Sequence, residues 1–274
     1  MKLSKLALAV GALVISGAAA AEFSANIAAT SNYVWRGATQ TDDAAAIQGG
    51  LDYAHDSGFY LGTWASNVDF GAGGEVEVDL YGGFSGEMGG LGYDLGLIYY
   101  AYPDSDDANF TEIALGVSFA MFSAGINYTI DSEVDDTAAA EGFIEGDLYY
   151  YAGASFEVAP TWTLGATVGY YDFEDDGVGG ADLSYSHVQL DVTKSAGDFG
   201  DFTFSVSKAG DEANVDGNGN PDDDIKVFVS WAKTFDGSSE RLRSRRRGCG
   251  AGQQHPGRSR YETGCSHHQA VQAG

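Results

Sequence analysis

From Phe23 onward, apolar and polar positions alternate with a period of two. In FSANIAAT, Phe23, Ala25, Ile27 and Ala29 share one face; Ser24, Asn26, Ala28 and Thr30 share the other. EVEVDLYGGFSG sets Val76, Val78, Leu80 and Phe84 against Glu75, Glu77, Asp79 and Tyr81. LGYDLGLIYYAY and WTLGATVGYY repeat the pattern, the first with Leu91, Tyr93, Leu95, Leu97 and Tyr99 on one face. A helix would scatter apolar residues at i, i+2 and i+4 around its circumference, so these stretches predict strands. The pattern predicts twelve of them, over 23–36, 46–55, 59–68, 75–86, 91–102, 109–119, 122–130, 146–157, 161–171, 183–194, 202–208 and 225–235.

The connections indicate how the strands are joined. Links after even-numbered strands are short, such as Asp56-Ser57-Gly58 and EMGG; those after odd-numbered strands are mostly longer and acidic, such as PDSDDA and AGDEANVDGNGNPDDD. Short turns on one rim and long loops on the other predict an all-β fold, an up-and-down antiparallel transmembrane β-barrel of about twelve strands. A soluble lipocalin-like barrel also alternates, with its apolar face inward. Many strands here reach about ten residues, enough to cross a bilayer when tilted. Their polar face, rich in Gly, Ser, Thr, Asn and acids, suits a water-lined wall. Tyr33, Trp35, Trp162, Tyr170 and Trp231 fall near strand ends, where an outward aromatic girdle is expected.

Charge divides the chain into three parts. Lys2 and Lys5 precede an apolar run, Leu6–Ile15, too short to span a bilayer; Ala19-Ala20-Ala21 follows, and residues 1–21 read as a signal peptide. Residues 22–235 carry 37 acids against five bases, a charge of −32. Such a segment excludes nucleic acid as a partner and attracts cations. Residues 236–274 reverse the charge with seven arginines and hold both cysteines, Cys249 and Cys265. They show no periodicity and are too few to bury a core. They read as a disordered basic tail, translated out of frame or otherwise foreign to the barrel.

The stretch SNYVWRGATQT, residues 31–41, resembles the S-x-Y-V-F-R-G-x-S-Q-T motif of the TorF family of porins, with Trp35 in place of Phe and Thr39 in place of Ser. Residues 45–70 and VEVDLYGGFSG resemble the same family. The resemblance implies a Gram-negative outer-membrane barrel taken to be a channel, and it carries over no site residues. The expected partners are therefore outer-membrane lipid and lipopolysaccharide, the barrel assembly machinery, and small solutes or cations.

Candidate chemistry is sparse. Arg36 is the only base between Lys5 and Lys194. Strand parity turns it toward the lumen, with Tyr33 and Trp35 facing lipid. A guanidinium there requires a carboxylate, and Asp79, Glu77 and Asp52 are the candidate partners. It acts either as a selectivity residue or as an ion pair pinning a loop. Lumenal carboxylates are expected at Asp52, Glu75, Glu77, Asp79, Asp94, Glu112, Asp147 and Asp191. Arg36, Asp52, Glu77, Asp79, Asp94, Glu112 and Asp191 are the candidates for pore lining and selectivity, and a ring of acids favours cations.

Asp216, Asn218, Asn220, Asp222 and Asp224 alternate as calcium ligands do. Pro221 and Val227 stand where such a loop needs Gly and Glu, so the calcium reading is weak. His187, Gln189 and Asp191 share a face without an accompanying nucleophile, and neither an enzyme nor a cofactor is expected. Val227, Val229, Trp231 and Phe235 form an apolar C-terminal series resembling the signal read by barrel assembly machinery, interrupted by Lys233. Tyr100, Tyr102, Tyr149 and Tyr151 are bulky enough to fill a small lumen. The open alternatives are a passive channel and a non-conducting barrel with acidic surface loops.

Overall fold

A computed structural model describes residues 22–70, 75–105, 107–134, 142–174, 183–210 and 224–236. The strands are β1 (Glu22–Thr30), β2 (Val34–Trp35), β3 (Ala38–Thr39), β4 (Ala46–Ala54), β5 (Phe59–Val68), β6 (Glu75–Met88) and β7 (Leu91–Ala101). They continue with β8 (Phe110–Phe119), β9 (Phe122–Ser132), β10 (Leu148–Ala159), β11 (Trp162–Asp172), β12 (Tyr185–Ser195), β13 (Asp201–Ala209) and β14 (Lys226–Asp236). Twelve of these, β1 and β4 to β14, close an antiparallel barrel in sequence order, with β14 returning to β1. The closing seam runs from Ser24↔Asp236 to Thr30↔Ser230. Closure pairs both edges of the sheet, so none of these twelve strands presents an open ladder to lipid or to another chain.

The alternation sorts the two faces as expected for a barrel in lipid. Leu51, Leu80, Leu95, Leu115, Val168, Leu190 and Phe204 are all about half exposed on the outer wall. Glu77, Glu112, Asn127, Thr129, Asp191, Ser205 and Ser207 are buried on the inner one. With strands of 9 to 14 residues, this outer belt is long enough for a bilayer. Tight aromatic seating helps the inner wall close. The Tyr81 ring lies across Gly62 of the neighbouring strand, where an added Cβ would meet it at 2.5 Å.

The first expected strand is interrupted. β1 stops at Thr30, and residues 31–45 do not continue up the wall. They fold into the lumen as the β2–β3 hairpin, with Val34↔Thr39 and Trp35↔Ala38 paired. Tyr33 and Trp35, expected to face lipid, are each only 5% exposed and lie inside the barrel. Their parity was read through a strand that had already ended. Trp162 and Tyr170 do face outward. The expected signal peptide and the basic tail after Asp236 lie outside the described residues.

Candidate functional site

The inward hairpin is built by its own short polar side chains. Asn32 sits at its base, donating from Nδ2 to Asp43 Oδ1 at 2.7 Å and accepting at Oδ1 from Thr39 Oγ1 at 2.7 Å. Thr41 Oγ1 accepts the Tyr33 N–H and donates to the Ala44 carbonyl. The backbone bond from Gln40 N–H to the Tyr33 carbonyl closes the ladder at 2.7 Å. Arg36 and Gly37 form the two-residue turn with φ of 48° and 89°. Positive φ at both central positions is the geometry that matches strand twist in a tight hairpin. The tip packs against β12 and β13: a Cβ on Gly37 would meet His187 Cβ at 2.6 Å and Ala209 Cβ at 3.0 Å. The family-like motif therefore encodes a cross-lumen strut.

Arg36 carries the strut's charge. Its Nη1 donates to Glu112 Oε1 at 2.7 Å and its Nη2 to Glu112 Oε2 at 2.6 Å, a bidentate pair. Glu112 Oε2 also accepts from Asn127 Nδ2 at 3.0 Å and Tyr100 OH at 3.2 Å. Glu112 is 1% exposed. The guanidinium lies over the Trp35 ring at 4.1 Å and the Tyr149 ring at 4.3 Å. Asp79, Glu77 and Asp52 were the expected partners, and none of them holds Arg36. The hairpin carries Arg36 away from β4 and β6 to a carboxylate on β8. β9 has one extra residue, Ile130, opposite the Thr111–Glu112 step, a bulge beside the paired carboxylate.

Aromatic side chains fill the space around this pair. Trp35 packs edge-on against Tyr100 at 5.8 Å and Tyr171 at 6.2 Å, and Tyr100 stacks on Phe110 at 4.5 Å. Glu77 accepts from Tyr33 OH at 3.0 Å and Tyr102 OH at 3.1 Å, joining hairpin to wall through a second carboxylate. Tyr149 OH and His187 Nε2 are 2.9 Å apart. Of the tyrosines expected to fill the lumen, Tyr100, Tyr102 and Tyr149 are buried in or beside this cluster.

The remaining candidates lie in separate places. Asp52 accepts from Asn26 Nδ2 at 3.2 Å and from Tyr81 OH. Asp94 accepts from Tyr60 OH at 2.9 Å, and Asp191 from Ser205 Oγ at 2.6 Å and Gln189 Nε2 at 3.1 Å. Buried Oδ atoms of Asp79, Asp94 and Asp191 have no hydrogen-bond partner. Glu75 lies at the long-loop rim, accepting from Ser105 Oγ at 2.9 Å. Glu77 and Glu112 thus belong to the strut, whereas Asp52, Asp94 and Asp191 line the wall outside it. Sequence reasoning missed Asn32, Tyr33, Trp35, Gly37 and the ion pair of Lys226 with Asp43 at 2.8 Å. The Arg-Gly pair was the available signal, because it is a two-residue turn sequence inside an alternating stretch.

Asp216, Asn218, Asn220 and Asp222 lie outside the described residues, and Asp224 is exposed. Among the described residues no three His, Cys, Asp or Glu side chains gather as a metal site. In the C-terminal series, Val227, Val229 and Phe235 point outward, and the Trp231 indole N–H donates to the Phe199 carbonyl at 2.9 Å.

Asp147 acts at the long-loop rim. Its carboxylate accepts from the backbone N–H of Glu174 at 2.9 Å and of Ile144 at 3.1 Å, tying two loops together. Burial pushes its pKa up to about 6, against the downward pull of those bonds. The folded protein therefore holds this proton more tightly than the unfolded chain does. Its contribution to stability grows as pH falls from about 6 towards the unfolded value near 4, and is lost as pH rises through 6. Thermal unfolding between pH 7 and 4 checks this: Asp147→Asn should remove part of the acid-side gain seen in the wild type. Identical pH profiles would contradict it.

Three solved structures are similar to this chain. The COG4313 outer membrane channel from Pseudomonas putida F1 is 8% identical with a TM-score of 0.48, covering 82% of this chain and 100% of that one. The NanC porin is 7% identical with a TM-score of 0.47, covering 77% and 97%. Acinetobacter baumannii OccAB4 is 11% identical with a TM-score of 0.39; this chain is covered over 74% and spans 56% of that protein's length. No curated protein sequence matches the chain. The model of the Gcw_chp family, described as bacterial protein of unknown function, matches residues 15–233, and the chain belongs to that family.

Proposed function

We propose that the protein is an outer-membrane channel for passive diffusion of small solutes, weakly cation-preferring and constricted on its long-loop side by the β2–β3 hairpin. The reading agrees with the likeness of residues 31–41 to the TorF family of porins. The observation that carries it is the inner wall's charge. Asp52, Asp94 and Asp191 line that wall outside the strut, while the Arg36 charge is neutralised by Glu112. A path lined by uncompensated carboxylates lowers the free energy of a cation relative to an anion.

Planar-bilayer recording of the refolded protein tests the reading. Small cation-selective currents are expected under a salt gradient. Asp52→Asn together with Asp94→Asn should move the reversal potential towards zero, while the barrel keeps its unfolding temperature within a few degrees. An unchanged reversal potential would remove these carboxylates from the path. A second reading has its own support: Tyr171 and Val68 are fully buried beneath and beside the hairpin. That packing suits a non-conducting barrel, and absence of any current from inserted wild-type protein would favour it.

A further inference from the structure

The outer wall carries a charged feature of its own, on the short-turn rim. The strand registers set Trp162 opposite Lys194, Lys194 opposite Phe202, and Phe202 opposite Trp231. One level row across β11, β12, β13 and β14 therefore reads Trp-Lys-Phe-Trp on the outward face. Lys233 lies two residues further towards the rim on β14, beside outward-facing Phe235. Lys194 Nζ lies over the Trp162 ring at 5.0 Å and Lys233 Nζ over the Phe235 ring at 5.2 Å.

Each ammonium donates to a neutral acceptor on the rim turns, Thr161 Oγ1 for Lys194 and the Asp198 carbonyl for Lys233. Among the described residues neither has a carboxylate within ion-pair distance. The two lysines are two strands and two residues apart, about 12 Å between Cα positions by strand geometry. Side chains of that length can converge on one phosphate. The other bases of this acidic barrel lie elsewhere: Arg36 and Lys226 are buried, and Lys208 sits near the opposite rim.

We infer that Lys194 and Lys233, framed by Trp162, Phe202 and Trp231, form a binding site for the phosphate headgroup of an anionic phospholipid in the leaflet at the short-turn rim. The rings seat the acyl–headgroup boundary, as interfacial aromatics do. The ammoniums supply the charge that a zwitterionic headgroup neutralises for itself. The site rests on the reading of the barrel as membrane-spanning.

Tryptophan quenching by brominated lipid tests it. The chain has four tryptophans; Trp35 is buried, Trp64 faces the lumen against Tyr33, and Trp162 and Trp231 border the site. The refolded full chain is placed in vesicles of phosphatidylcholine mixed with brominated phosphatidylglycerol, or with brominated phosphatidylcholine, at equal mole fraction. Stronger quenching by phosphatidylglycerol is expected, with a relative binding constant up to about 25-fold higher, about fivefold for each of the two lysines. Lys194→Gln with Lys233→Gln should abolish that preference, and Lys226→Gln should leave it intact. All these proteins carry the same arginine-rich tail, so any lipid preference of the tail is common to them and drops out of the comparison. Equal quenching by both lipids in the wild type, or an unchanged preference in the double variant, overturns the site. No quenching by either lipid would instead mean that the barrel does not insert, which sinks the membrane reading itself.

Discussion

Arg36→Ala is expected to destabilise the barrel by about 3–5 kcal/mol and to raise its conductance. Removing the guanidinium leaves Glu112 buried with only Tyr100 and Asn127 as donors, and an uncompensated buried charge costs that much. The same change frees the hairpin tip from the β8 wall, so the strut no longer has a charged anchor across the lumen. Arg36→Met combined with Glu112→Gln separates the two effects. The pair should be less destabilised than the sum of the single changes, because neither charge is then left without its partner. Its conductance should nonetheless stay raised, since the anchor is gone. Denaturant unfolding in lipid reads the first quantity and single-channel recording the second. Wild-type currents from Arg36→Ala would take the residue out of the pore and leave it as a structural ion pair alone.

Gly37→Ala should be nearly as disruptive, for a reason unrelated to charge. At a φ of 89° a Cβ is strained by about 1–2 kcal/mol. Here it would also lie 2.6 Å from His187 Cβ, a rigid atom attached to the β12 backbone. Overpacking of that kind adds about 1–3 kcal/mol. The expected result is an unfolding midpoint several degrees lower, with current noise from a hairpin that no longer seats. Adding His187→Gly should recover the steric part and leave the backbone part. A double variant no better than Gly37→Ala alone would show that the tip does not press on β12.

The twelve wall strands were legible because a barrel strand's identity is local. Each residue's face depends on parity alone, and the chain writes parity residue by residue: Leu91, Leu95 and Leu97 out, Asp94 in. Loop lengths supplied the up-and-down order for the same local reason. The hairpin was illegible because its residues keep the wall's alternation. Tyr33 and Trp35 continue the parity of Ile27 and Ala29, so nothing periodic marks the point where the chain leaves the wall. The need for a carboxylate at Arg36 could be argued from burial. Its identity could not, because Glu112 lies 76 residues away on a strand that only barrel closure brings across the lumen.

The sequence by itself therefore determined the strand count, the outward apolar belt, and the acidic balance of the barrel. Those properties follow from side-chain type and spacing, which need no partner. Only the tertiary structure decided that residues 31–45 turn inward, that Arg36 meets Glu112, and that Lys194 and Lys233 share one rim of the outer wall. Each of these depends on which strands closure makes neighbours and on the register between them. SNYVWRGATQT has enough apolar residues to stay on the wall. It leaves the wall because the lumen offers what lipid cannot: two carboxylates, Glu77 and Glu112, and a bed of aromatic rings.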